Sequence, residues 1–164
     1  GQGDCLVTPL QMAVEVAAVA NGGDLVRPRV LRRVDGETAP RPAEIHGSLG
    51  LRASTIAALR AGMKGVVSPG GTAAGIATDR YGIAGKTGTA QAPGGLPHAW
   101  FGGYAPAENP TLAVAVLVEH GGGGSAIAAP IARYVFDTAL LPEAERPTWQ
   151  APETPPQQLA RLGE

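Results

Sequence analysis

Three β-prone runs follow one another closely, Ile83 to Gln91, His98 to Tyr104 and Thr111 to Glu119, with only the turn-rich stretches Ala92 to Pro97 and Ala105 to Pro110 between them. Parallel strands need a crossover of about a dozen residues or more, so connections this short make the set an antiparallel meander. The third run is almost continuously apolar, the pattern of a strand covered on both faces. Helical segments precede and follow the meander. That order predicts an α+β fold, an antiparallel sheet packed against helices.

The helical segments carry their own punctuation. Thr8-Pro9-Leu10-Gln11 reads as a helix start, with Thr8 as N-cap, Pro9 in the first turn and Gln11 placed for a capping box. This helix runs through Met12 to Ala20 and ends at Asn21-Gly22-Gly23; apolar residues surround it almost completely, which predicts burial. Val26 to Leu31 reads as a short strand that Pro28 confines to an edge, and Glu37 to Gly50 as a polar loop. Ser54 is the expected cap of a second helix, whose Ile56, Leu59, Met63 and Val66 recur at helical spacing before Ser68-Pro69-Gly70-Gly71 stops it. Thr72 to Ala77 is a further short helical stretch weakened by Gly75. Gly121 to Gly124 is a flexible or tightly turning loop, and Ala126 to Leu141 is the closing helix, with Pro130 tolerable only near its start.

From Pro142 onward five prolines stand among polar residues, so the organisation expected is one folded unit over 1–141 and an extended, disordered tail over 142–164. A hydrophobic fraction of 44% in 164 residues supports a single core, but with aromatics at only 4% and 24 glycines that core must be built from aliphatics and small residues. Lys and Arg number 13 against 14 for Asp and Glu, which leaves no basic footprint for nucleic acid or an anionic membrane. No apolar run is long enough to span a bilayer, and no basic-then-apolar leader opens the sequence. The chain starts at Gly1 rather than Met, so a piece of something longer is expected. Cys5 has no second thiol to pair with, and His46, His98 and His120 are scattered without a carboxylate or thiol pattern, so neither a disulfide nor a metal or other cofactor is expected.

Chemistry concentrates in Gly85-Lys86-Thr87-Gly88-Thr89-Ala90-Gln91, which puts a cation and two hydroxyls on one strand beside two glycines. Strand alternation sends Thr87 and Thr89 to one side and Lys86 and Gly88 to the other, and Gly88 lets a ligand lie along the backbone as an added strand. Such a row suits the capture of an acyl substrate bearing a carboxylate. A phosphate-binding loop is a poor fit, because that motif wants glycine where Arg80 stands. An ordinary hairpin strand remains the plain alternative for the tetrapeptide taken alone. No Ser-x-x-Lys, the nucleophile motif that accompanies Lys-Thr-Gly in serine acyltransferases, occurs: Ser48, Ser54, Ser68 and Ser125 all lack a lysine three residues on.

Context narrows these readings. Gly1-Gln2-Gly3, Val7-Thr8-Pro9-Leu10-Gln11-Met12-Ala13, Ala20-Asn21-Gly22-Gly23, Met63, Gly71-Thr72-Ala73, Ala84 to Gln91, His98-Ala99-Trp100-Phe101 and Tyr104-Ala105-Pro106 appear in that order. The series, over Gly1 to about Leu141, resembles the C-terminal part of the transpeptidase domain of class B penicillin-binding proteins, of the penicillin-binding protein 2 type.

The resemblance implies a D,D-transpeptidase that cross-links peptidoglycan, in which a serine is acylated by the D-Ala-D-Ala end of a stem peptide and β-lactams mimic that substrate. It carries Lys86, Thr87 and Gly88 onto the family's third motif. Lys86 would then set the electrostatics beside the second motif, Thr87 and Thr89 would bind the substrate carboxylate, and the Thr89 N–H would form half of the oxyanion hole. Trp100 would either shape the cleft or pack the sheet. Partners implied are the stem peptide, β-lactams and elongation-complex proteins, at the extracytoplasmic, periplasmic face of the cell membrane, with no cofactor. In the family the serine motif and the Ser-x-Asn motif precede the Gly-Gln-Gly segment, so the expectation is a C-terminal piece that is inactive alone. Family members also draw sheet strands from earlier sequence, which would leave this chain with an open edge. A serine β-lactamase fragment and a non-catalytic protein-binding module are the alternatives.

Overall fold

The computed structural model describes residues 5–30 and 42–152. In chain order these form helix α1 (Pro9–Asn21), strands β1 (Asp24–Val26) and β2 (Ile45–Ser48) and helix α2 (Ala53–Val67); a one-turn 3-10 helix (Ala74–Ile76) leads into β3 (Ala84–Ala90), β4 (His98–Ala105) and β5 (Leu112–Val118), and a π turn (Gly124–Ala128) runs into helix α3 (Ala129–Leu140). The meander is present as expected, antiparallel in the order β3-β4-β5.

The sheet is a two-sided layer because β4 alternates. Ala99, Phe101 and Ala105 face α3 and the π turn, where they join Ile127, Ala128, Ala129, Ala132 and Phe136 in the main core. Tyr104 faces the other way and, with Ala84, meets Val16 and Ala20 of α1 and Met63 of α2. Glycine is required where Phe101 crosses the sheet: a Cβ on Gly85 or Gly103 would overlap the Phe101 ring. On the opposite face α1 comes so near that a Cβ on Gly102 would stand 3.1 Å from Val16 Cγ2.

The start of α1 has the expected capping box, with the Gln11 N–H donating to Thr8 Oγ1 at 3.2 Å and the Thr8 N–H to Gln11 Oε1 at 2.8 Å. Its end uses Gly22 at φ +99°, a left-handed position glycine occupies without cost. Burial of α1 is only half what its composition predicts. Val16, Ala18, Val19 and Ala20 are buried, whereas Leu10 at the other end stays 60% exposed. The first half, Pro9 to Glu15, is exposed or only partly buried.

Four other expectations are corrected. The observed strand, Asp24–Val26, shares only Val26 with the edge strand expected at Val26 to Leu31, of which Arg27 to Val30 form no strand and Leu31 lies outside the described residues; its partner β2 lies in the stretch read as a loop, whose part before residue 42 is likewise outside them. Backbone bonds hold that pair, Arg27 N–H to Glu44 O and Leu49 N–H to Gly23 O, both at 2.8 Å, so its side chains leave no alternating pattern. Helix α2 is capped by Arg52 through extended backbone without a side-chain bond, and Ser54 is already inside the helix. Strand β5 is covered on both faces as expected, by α1 and α3, although all seven of its residues are only partly buried because it forms the sheet's outer edge among the described residues. The expected tail is anchored over 142–152 by a 3-10 turn at Glu143–Glu145, an ion pair between Arg80 and Glu145, and an edge-on contact of Trp149 with Tyr134. Its remainder, 153–164, lies outside the described residues.

Candidate active site

Strand β3 has β4 on one side only, so its other side is a free edge among the described residues. The register pairs Lys86 with Gly102, Thr87 with Phe101, Gly88 with Trp100 and Thr89 with Ala99. Directly opposite residues share a face, so Thr87 and Thr89 lie on the α3 side and Lys86 on the α1 side, the division strand alternation predicts. Lys86 and Thr89 are exposed, and Thr87, Gly88 and Trp100 are half-buried.

The Lys86 ammonium donates to Thr87 O at 2.7 Å. In an antiparallel ladder a residue turns both backbone groups to the partner or both away, and residues i and i+2 behave alike. With Thr87 O engaged by Lys86, the Thr89 N–H falls on the same open side. The open edge therefore carries the Lys86 ammonium, drawn onto Thr87 O, and the Thr89 N–H, while the Thr87 and Thr89 hydroxyls stand beside it on the α3 face. No carboxylate pairs with Lys86 among the described residues.

Trp100 stands directly opposite Gly88, where a Cβ on Gly88 would lie 3.0 Å from Trp100 Cβ. Gly88 therefore opens the edge and also leaves room for the base of the Trp100 side chain. Two contributors were not singled out as site residues in the sequence. Thr72, just before the 3-10 turn, places its Oγ1 3.1 Å from Thr87 Oγ1. Gly124, the first residue of the π turn, lies so close behind the ladder that a Cβ there would overlap Gly88 O and Trp100 O. The signals available were Gly71-Thr72-Ala73 and the run of four glycines ending at Gly124.

The segment from Thr72 to β3 is held against α3 by a polar cluster. The Tyr81 hydroxyl donates to Asp137 Oδ1 at 2.5 Å and Arg133 Nε to Asp137 Oδ2 at 2.7 Å, while Arg133 Nη1 reaches Ile76 O at 2.9 Å and Ala77 O at 3.0 Å. Burial pushes the Tyr81 phenol well above its ordinary value of 10.0, and the adjoining Asp137 carboxylate adds to the rise. A phenol raised in the folded state contributes stability below pH 10.0 that is lost as pH climbs towards the folded value, because only the unfolded chain then ionises. Tyr81→Phe is thus expected to flatten the alkaline end of a melting-temperature profile and leave its neutral part nearly parallel to the parent. An unchanged alkaline slope would overturn this.

The histidines are less scattered than the sequence implies. His98 and His120 meet edge-on at 4.9 Å between ring centres. The His120 N–H donates to His98 Nδ1 at 3.0 Å and His120 Nδ1 lies 3.0 Å from Leu96 O, so the pair ties the β3–β4 connection to the end of β5. His46 stands apart on β2 and Cys5 is exposed. No group of three or more metal-ligating side chains forms among the described residues.

The family model for the penicillin binding protein transpeptidase domain matches residues 1–137. The chain belongs to the penicillin-binding protein transpeptidase family. Its relatives include the peptidoglycan D,D-transpeptidase MrdA of Haemophilus influenzae, 34% identical over 89% of this chain and 26% of that protein. Another is the peptidoglycan D,D-transpeptidase PbpA of Mycobacterium tuberculosis, 37% identical over 87% of this chain and 31% of that protein. Among solved structures, Pseudomonas aeruginosa PBP2 in complex with WCK 5153 superposes with a TM-score of 0.78 at 40% identity, covering 93% of this chain and 34% of that one. The imipenem acyl-enzyme of M. tuberculosis penicillin-binding protein A gives 0.73 at 36% identity, over 85% of this chain and 32% of that one. These relatives place this family member in the class B, penicillin-binding protein 2 group. The chain spans about a quarter to a third of the length of these relatives. The α+β architecture read from the sequence is that of the solved transpeptidases.

Proposed function

We propose that this chain is the C-terminal part of a peptidoglycan D,D-transpeptidase and supplies the substrate-binding edge of its active site. The observation that carries the reading is the open β3 edge, where the Lys86 ammonium is drawn onto Thr87 O beside the unpaired strand side. In the reaction proposed, a serine from upstream sequence attacks the carbonyl of the penultimate D-Ala, the C–N bond to the terminal D-Ala breaks, and that residue leaves as free amine. An amine of a second stem peptide then attacks the acyl-serine and restores the hydroxyl. A β-lactam follows the first step only, its ring C–N bond opening to leave an acyl-enzyme, the state in which the M. tuberculosis relative is seen with imipenem.

In this scheme the substrate lies along β3 as an added strand, Thr87 and Thr89 hold its carboxylate, and Thr89 N–H donates to the developing oxyanion. Lys86 provides the positive field, and Trp100 and Gly88 form the wall and floor of the cleft. The parent acts at the extracytoplasmic face of the membrane, among proteins of the elongation complex. No helix among the described residues is long and apolar enough to cross that membrane.

The test is intact mass after incubation with a penicillin, on this chain and on a form extended upstream through the serine motif. A lasting adduct on the extended form only supports the transpeptidase. Rapid deacylation points to a serine β-lactamase, and no adduct on a folded extended form points to a binding module. In the extended form Thr87→Val is expected to slow acylation about tenfold or more, the worth of one hydrogen bond to a charged group, with an unchanged melting temperature. Unchanged acylation would remove the carboxylate role.

A further inference from the structure

Asp137 is the buried charged side chain among the described residues, and both of its oxygens are taken, one by Tyr81 and one by Arg133. A buried ion pair adds little stability over apolar side chains of the same size, since desolvation offsets the attraction. It does fix direction. The Arg133 guanidinium spans from the carboxylate to two consecutive carbonyls, Ile76 O and Ala77 O, at the end of the 3-10 turn, and lies 6.0 Å from the centre of the Tyr81 ring. A lysine presents one compact charge and cannot hold both ends of that span.

The segment so gripped is the one that carries Thr72. Its upstream end is wedged against α2, where Ala73 N–H donates to Val66 O at 2.9 Å and a Cβ on Gly71 would overlap Gly65 O and Val66 O. Its downstream end is fixed by Arg133 at Ile76 and Ala77 and again by Tyr81. Thr72 stands within the upstream anchor, between Gly71 and Ala73 and four residues before Ile76, with its hydroxyl on Thr87. A hydroxyl has one proton to give. When Thr72 donates to Thr87 Oγ1, the Thr87 proton is free to point at an anion; if Thr72 turns to accept instead, that proton is spent internally, and if Thr72 shifts away, the Thr87 hydroxyl loses the bond that orients it.

We propose that Tyr81, Asp137 and Arg133 form a latch that positions Thr72 and thereby directs the Thr87 hydroxyl towards the carboxylate of a ligand on β3. These are positioning residues, one step removed from the ligand. The inference rests on the reading of β3 as a substrate-binding edge.

The test uses the full-length, serine-containing protein and two probes, a penicillin and its methyl ester, which differ only in the carboxylate. Arg133→Lys is expected to slow acylation by the free acid about tenfold, the worth of one misdirected hydrogen bond to a charged group, and to leave the ester within about twofold. Tyr81→Phe, which deletes a single hydroxyl, is expected to move the acid-to-ester ratio the same way by less. In a Thr72→Val background, Arg133→Lys is expected to produce no further change in the ratio, since both act through one hydroxyl. Equal slowing of acid and ester, or full additivity with Thr72→Val, would overturn the latch and leave the transpeptidase reading standing. A folded parental protein that takes no adduct from either probe would overturn both.

Discussion

Gly124→Ala in the full-length protein is expected to lose penicillin acylation by about a hundredfold, the penalty of displacing reacting groups by about an ångström. The added methyl would overlap Gly88 O and Trp100 O, and would stand 2.9 Å from Gly88 N. All three are backbone atoms of the β3–β4 ladder, so no rotamer change can make room. Either the π turn retreats from the sheet, opening the core at Ile127 and Ala128, or Gly88 is pushed forward into the edge. Overpacking of this kind costs about 1–3 kcal/mol. Melting temperature and acylation rate measured together separate the two responses, since a retreat mainly lowers the first and a pushed strand mainly lowers the second. Wild-type values for both would show that the glycine is dispensable.

Gly124 also illustrates what the sequence does not reveal. Four consecutive glycines read as a loop, because freedom in φ is glycine's usual meaning. Here only Gly122 of the four uses a left-handed φ, at +82°, while Gly124 is needed for close approach to another segment. Contact distance between residues far apart in sequence has no local signature. Thr72 was hidden for the same reason, as was the meeting of His98 and His120.

What was legible is what local physics dictates. The capping box at Thr8 and Gln11, the stop at Gly22 and the antiparallel meander all follow from hydrogen bonds or connection lengths within a few residues. The division of Lys86 from Thr87 and Thr89 follows from strand alternation alone. Failures came where a partner decides the outcome. β2 exists because β1 is beside it; β5 is covered on both faces as its apolar run implies, but its half-burial, with no further described strand on its outer side, had no local sign. The exposed Leu10 at the head of α1 belongs to the same class: an apolar stripe says that a face wants cover, and only the tertiary structure says where cover ends.

One fully buried side chain lies under the ladder that sets out Lys86 to Thr89. Phe101 pairs with Thr87 across the ladder, is fully buried, and sits against both Gly85 and Gly103. Phe101→Ala is expected to lower the unfolding free energy of the full-length protein by about 3–5 kcal/mol, the toll of an aromatic cavity in a tight core. Gly85→Ala is expected to cost about 1–3 kcal/mol, because its methyl would overlap a ring that has no exposed side to move towards. The double variant decides whether the two glycines are there for the ring. With Phe101 removed, the Gly85 methyl enters the vacated space, so the combined loss in a denaturant titration is expected to fall well short of the sum. Full additivity would mean that Gly85 is required for something else on β3. The edge bearing Lys86 would then owe its position to its own backbone rather than to the core beneath it.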